Sequence, residues 1–129
     1  MKIPREVTIY EVGARDGLQN EISHISLETK IELINRLTEC NLTNIEAGSF
    51  VSPKWVPQMA DSEEVFEQIK KPNNNTYPIL TPNLKGLERA IEKKVKTICV
   101  FLTASEKFSK KNTNCSVKES MKRVEAITS

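Results

Sequence analysis

Val7-Thr8-Ile9-Tyr10-Glu11-Val12-Gly13-Ala14-Arg15-Asp16-Gly17-Leu18-Gln19-Asn20-Glu21 is the stretch from which the rest of the chain can be read. Residues 7–12 are β-branched and aromatic around a single carboxylate, a composition that suits a strand and fits a helix poorly. Gly13 and Gly17 then end the run and are expected to let the backbone turn tightly. The turn delivers Arg15 beside Asp16. A guanidinium cannot lose its charge, and an aspartate is a hard oxygen ligand. At the carboxyl end of a strand, such a pair can hold a divalent metal and polarise a carbonyl of the same substrate, which is lyase or aldolase chemistry in outline.

Outward from this stretch, strand-like and helix-like runs alternate. After the run at 7–12 comes an expected helix over 27–40, with Ser26 as N-cap, Glu28 in its first turn and an apolar stripe of Ile31, Leu33, Ile34 and Leu37. Asn41 can close it. A second strand near 43–47 carries Glu46 at its end, and Asp61 with Glu64 reads as a capping box opening a helix over 62–70. Pro72-Asn73-Asn74-Asn75 is a turn. A third strand near 77–80 ends at Thr81-Pro82-Asn83, where Asn83 caps a helix over 84–94. The run Thr97–Leu102 is apolar on both faces, as for a strand buried in a parallel sheet. Ser116 and Glu119 form a further capping box, opening a helix to about Ile127. Repeated strand–helix units imply an α/β fold of parallel strands with right-handed crossovers, and such folds collect polar side chains at the carboxyl ends of their strands. Arg15, Asp16, Glu46, Thr81 and Asn83 are all expected there.

The chain has 129 residues, a net charge of +2, 38% hydrophobic and 28% charged residues. That is one domain's length with ordinary composition, and nothing divides it. The near-neutral charge argues against nucleic acid as a partner, and no apolar run reaches the length of a membrane span. Cys40, Cys99 and Cys115 are odd in number, widely spaced and without a C-x-x-C pair, so they read as reduced thiols that pack rather than react. The first residues lack the apolar core of a signal peptide, from which a cytoplasmic location is expected. No G-x-G-x-x-G or Walker pattern is present.

The motifs resemble those of the hydroxymethylglutaryl-CoA lyase family. Four stretches carry the resemblance in order: Glu11–Glu21, Glu46–Asp61 (with Val-Ser-Pro-Lys-Trp-Val-Pro-Gln inside it), Leu80–Gly86 and Ala104–Asn112. The resemblance implies a TIM (β/α)8 barrel, with residues 1–129 as the N-terminal portion of one lyase barrel domain, about four β/α units. It implies cleavage of 3-hydroxy-3-methylglutaryl-CoA to acetoacetate and acetyl-CoA with a divalent cation, Mg²⁺ or Mn²⁺. Asp16 would then be a metal ligand, Arg15 would steady the enolate oxygen, and Glu46 would orient Arg15 or join the proton relay. Gln19 and Ser49 are rim candidates for substrate binding. Asn112, in an expected loop from Lys107 to Asn112, would lie toward the CoA moiety of an acyl-CoA substrate.

Three departures follow from the same comparison. The family's His-x-His pair, a further Asn and a cysteine on a glycine-rich loop do not occur in this sequence. Ala14 stands where relatives often carry Pro, and Ile22 where they often carry Lys. A full barrel needs about 250 residues. These 129 residues are therefore expected to show little or no lyase activity alone, with open sheet edges prone to association, so a homo-oligomer is left open. An acyl-CoA condensing synthase on the same barrel, and a non-catalytic half-barrel remnant or interaction module, are the alternatives. His24 reads as a plain loop residue, Trp55 as a loop anchor packed on the barrel, and Lys107, Lys110 and Lys111 as a solvated face.

Overall fold

The computed structural model describes residues 3–128 of the chain. Three strands, β1 (Gly48–Ser49), β2 (Ile79–Leu80) and β3 (Ile98–Cys99), form a parallel sheet in sequence order. Gly48 pairs with Ile79 and Ile79 with Ile98; Ser49, Leu80 and Cys99 line up in the next row. Five α-helices among the described residues accompany the sheet: α1 (Leu27–Glu39), α2 (Ser62–Gln68), α3 (Leu84–Glu92), α4 (Glu106–Thr113) and α5 (Val117–Thr128). The core lies where α1 and α2 meet the strands, around Ile34, Ile45, Phe50, Val65 and Ile79.

Helix ends follow the sequence closely. The Ser26 side chain accepts from Thr29 N, and the Asn83 side chain accepts from Gly86 N. At α5 the capping box is reciprocal: Ser116 N donates to Glu119 Oε2 at 2.8 Å, and Glu119 N donates to Ser116 Oγ at 3.2 Å. At α2 the expected box does not form, because the Asp61 side chain makes no cap bond there and turns to Lys30 instead.

The first run differs from expectation. Residues 7–12 form no strand; Glu11 alone bridges to Ile45, with Glu11 N donating to Asn44 O at 2.9 Å and Glu46 N to Glu11 O at 2.8 Å. Extending that parallel register backwards would set Val7 against Asn41, which occupies the left-handed turn (φ 63°) closing α1. A ladder cannot continue through such a turn, so Val7 and Ile9 stay 75% and 64% exposed. The second run extends later than 43–47, because Phe50 N still donates to Leu80 O at 2.9 Å. Glu46 therefore lies within this run rather than at its end.

The fourth run is shorter and wetter than its composition suggests. Its last rung is Thr81 N donating to Cys99 O at 2.8 Å. Beyond that rung Phe101 and Leu102 are 44% and 46% exposed. Residues 107–112, expected as a loop, are helical: Ser105 Oγ accepts from Phe108 N at 3.2 Å, and Asn114 stops the helix in a left-handed conformation (φ 51°). So polar a segment carries almost no apolar periodicity, and only its cap and stop residues announce a helix.

Candidate active site

Arg15 and Asp16 sit on a single π turn, Gly13–Gly17, in which Arg15 N and Asp16 N both donate to Val12 O, at 3.1 and 2.7 Å. Such turns occur often at functional positions. The glycines do not supply unusual conformations here: no glycine has positive φ, Gly17 has φ −62° and ψ −58°, and a Cβ at Gly17 would meet open space. The expectation that glycine enables the turn is thus corrected at Gly17; at Gly13 a Cβ would lie 2.7 Å from Glu11 Oε1, so glycine there leaves room for that carboxylate. The turn is right-handed helical, and buried Ala14 anchors it.

The guanidinium of Arg15 faces Glu46 side-on. Nε donates to Glu46 Oε1 at 2.8 Å and Nη2 to Oε2 at 3.0 Å, while Nη1 donates to Asp16 Oδ1 at 2.8 Å. Glu46 is nearly sealed, with 4% of its side chain exposed against 15% for Arg15 and 55% for Asp16. Both oxygens of Glu46 are thereby committed, as burial of a carboxylate demands. One N–H on each of Nη1 and Nη2 is left for another acceptor. Gln19 completes the group by donating to Asp16 Oδ1 at 3.3 Å.

Four expected residues therefore meet in one cluster. Ser49 lies deep in the sheet, 1% exposed, with its hydroxyl donating to Leu80 O at 3.4 Å. Asn112 is exposed on α4 and turns back to donate to the Phe108 carbonyl at 2.9 Å, with no bond to the Arg15 cluster. Thr81 is fully buried with its hydroxyl donating to Ile79 O, and the side-chain oxygen of Asn83 is spent on its cap, so neither bonds to the Arg15 cluster. His24 is exposed and lies with Ile22 and Trp55 along a groove of about 450 Å³ beside Gln19. Trp55 is 83% exposed, not packed down as expected, and Cys40 is exposed where a packing thiol was expected.

Two features escaped the sequence reading. Cys99 lies close enough to feel both charges: burial pushes its thiol pKa up, the Glu46 carboxylate adds to this, and the Arg15 guanidinium opposes it. A lone cysteine in an apolar run gave no signal of that neighbourhood. The second is Lys30, 3% exposed, whose ammonium donates to Asp61 at 2.7 and 2.9 Å and to Gln58 O at 2.6 Å. Its place on the α1 stripe, three after Leu27 and four before Ile34, was a readable sign of a buried cation.

As a metal site the cluster is partial. Among the described residues no three His, Cys, Asp or Glu side chains gather where they could share an ion. Asp16 fits as one hard oxygen ligand, half exposed and with Oδ2 uncommitted, whereas Glu46 is consumed by Arg15.

The HMGL-like family profile matches residues 6–129. The chain belongs to the HMGL-like family. It is 55% identical over 125 residues to the mitochondrial hydroxymethylglutaryl-CoA lyase of Macaca fascicularis, which covers 97% of this chain but 38% of that protein. The crystal structure of the Pseudomonas aeruginosa hydroxymethylglutaryl-CoA lyase superposes with a TM-score of 0.89 at 54% identity, over 95% of this chain and 41% of that one. An HMG-CoA lyase from Acinetobacter baumannii, solved with coenzyme A and 3-methylmalate, superposes with a TM-score of 0.86 at 40% identity, over 92% and 39%. This HMGL-like chain thus spans about two fifths of the length of these relatives. No helix among its described residues is long and apolar enough to cross a membrane.

Proposed function

We propose that this chain is the N-terminal portion of a single TIM-barrel lyase domain, about the first four β/α units. Its proposed reaction is the metal-dependent cleavage of 3-hydroxy-3-methylglutaryl-CoA to acetoacetate and acetyl-CoA. The observation that carries the reading is the Arg15–Glu46–Asp16 cluster in an HMGL-like chain with a parallel sheet. Relatives that are named lyases favour this over a condensing synthase.

In this reading Glu46 holds Arg15 rigid, and the two remaining N–H groups of Arg15 would donate to the thioester oxygen, where negative charge gathers as the carbon–carbon bond breaks. Donors fixed beforehand cost no reorganisation at that moment. Gln19 holds Asp16, which would supply one ligand to Mg²⁺ or Mn²⁺. When bound, the ion supplies Lewis acidity toward the substrate's hydroxyl and carboxylate oxygens. Ser49, expected as a substrate-binding rim residue, is buried with its hydroxyl on Leu80 O, so its role in this reading is to support the strand. Asn112 would exchange its bond to Phe108 O for the CoA moiety. Further ligands and the proton donor would come from polypeptide outside these residues.

The test joins this chain to the C-terminal remainder of the Pseudomonas lyase and follows acetoacetate release with Mn²⁺. The joined protein is expected to turn over and the isolated chain to show little or no turnover. Arg15→Lys in the joined protein is expected to cost about two to three orders of magnitude in kcat. A folded joined protein in which Arg15→Lys is harmless overturns the assignment.

A further inference from the structure

We infer that Gln58 is a positioning residue for the Asp16–Gln19 rim, tying the loop that follows Asp16 to the Lys30–Asp61 ion pair between α1 and the start of α2. The inference rests on the lyase reading for its purpose, and on geometry for its existence.

The loop after Asp16 is held at both ends. At its start, Asn20 Nδ2 donates to Asp16 O at 2.6 Å and Gln19 Nε2 to Asp16 Oδ1 at 3.3 Å. At its far end every loop contact of the Gln58 amide is to backbone. Gln58 Oε1 accepts from Ile25 N at 3.1 Å, and Nε2 donates to Ser23 O at 2.8 Å and Glu21 O at 3.4 Å. Gln58 is only 8% exposed, so these bonds are shielded from water.

Gln58 is itself fixed from below. Its carbonyl accepts from Lys30 Nζ at 2.6 Å, and Lys30 is held by both oxygens of Asp61. This arrangement is a poor device for stability alone. A buried ion pair is often no better than apolar packing, and Asp61 forgoes the cap that its sequence pattern offered α2, a bond worth about 1 kcal/mol. What it does provide is a fixed point: the loop after Asp16 bonds to the side-chain amide of Gln58, and Lys30 of α1 to the main-chain carbonyl of the same residue. An outer residue that orients the segment carrying a metal ligand affects ion affinity without touching the ion.

The test uses the 129-residue chain, with Gln58→Ala and the near-isosteric Gln58→Met. Both leave the Gln58 carbonyl for Lys30, so the ion pair survives. Ile34→Val serves as a destabilised control away from the rim. Amide hydrogen exchange is followed over residues 16–25, and Mn²⁺ alone is titrated against the resonances of Asp16 and Gln19. Both Gln58 variants are expected to speed exchange at residues 18–21 as well as at Ile25. They are also expected to raise the Mn²⁺ midpoint about tenfold, the lower end for loss of an orienting residue. Ile34→Val is expected to do neither.

Faster exchange confined to Ile25, with residues 18–21 unchanged, overturns the positioning role, as does a control that behaves like the Gln58 variants. If Mn²⁺ fails to reach Asp16 in the unsubstituted chain, the metal reading falls, and the exchange pattern alone decides whether Gln58 holds the rim.

Discussion

Arg15 and Glu46, 31 residues apart in sequence, are joined by two parallel hydrogen bonds of 2.8 and 3.0 Å, while the same guanidinium holds the adjacent Asp16 carboxylate at 2.8 Å. One cation thus bridges a sealed carboxylate and an open one. The sealed partner fixes its direction, and the open partner gives the cluster its face toward solvent.

Removing the sealed partner should be costly. Glu46→Gln leaves Arg15, 15% exposed, with only the open Asp16 carboxylate as counter-charge, and is expected to lower unfolding stability by about 2–4 kcal/mol. Arg15→Lys keeps the charge but loses the paired geometry, and is expected to fall between wild type and Glu46→Gln. Urea denaturation ranks the three.

Cys99 reports the same cluster electrostatically. Burial and Glu46 raise its thiol pKa while Arg15 lowers it. Glu46→Gln should therefore lower that pKa, increase the thiolate fraction and accelerate labelling of Cys99 at mildly alkaline pH severalfold. Arg15→Met should slow it. Acceleration in both variants would indicate loosening instead of charge. Cys40, being exposed, should label first in every case.

The Lys30–Asp61 pair should respond asymmetrically. Lys30 is 4% exposed at its side chain and Asp61 24%. Asp61→Ala strands a buried ammonium and is expected to cost about 3–5 kcal/mol. Lys30→Met fills the same space and leaves a carboxylate that water can reach, so its cost should stay below about 1.5 kcal/mol. Equal losses on thermal unfolding would contradict this account.

Two glycines should separate cleanly. A Cβ at Gly48 would lie 2.8 Å from Ser62 Oγ and 2.9 Å from Ser62 Cβ, where α2 presses on β1. Gly48→Ala is expected to destabilise by about 1–3 kcal/mol. Gly17→Ala meets open space at a helical φ, so it should be neutral or stabilise by up to about 1 kcal/mol.

The α5 capping box carries a pH dependence. The Ser116 backbone N–H, followed by its hydroxyl, holds the Glu119 carboxyl below the usual carboxylate range. A depressed folded pKa contributes stability that is present above the unfolded value and is lost as pH falls through the folded one. Amides at the start of α5 should therefore lose protection, measured against their intrinsic exchange rates, as pH falls below the ordinary carboxylate range, while Glu119→Gln should abolish that step.

Local chemistry is what the sequence by itself determined. Caps at Ser26, Asn83 and Ser116 act within four residues, so their side chains find the expected N–H groups whatever the distant chain does. The parallel order of the runs, and the meeting of Arg15, Asp16, Gln19 and Glu46, were legible from the alternation and the motif. Tertiary structure decided what depends on a partner far along the chain. Residues 7–10 had every local mark of a strand, but the segment that would have paired with them is the left-handed exit of α1. Asp61 had the mark of a cap, and the unmet charge of a buried lysine from another helix claimed it instead. Short-range hydrogen bonds are written in the order of residues; a ladder rung or a buried ion pair exists only when two remote segments arrive together.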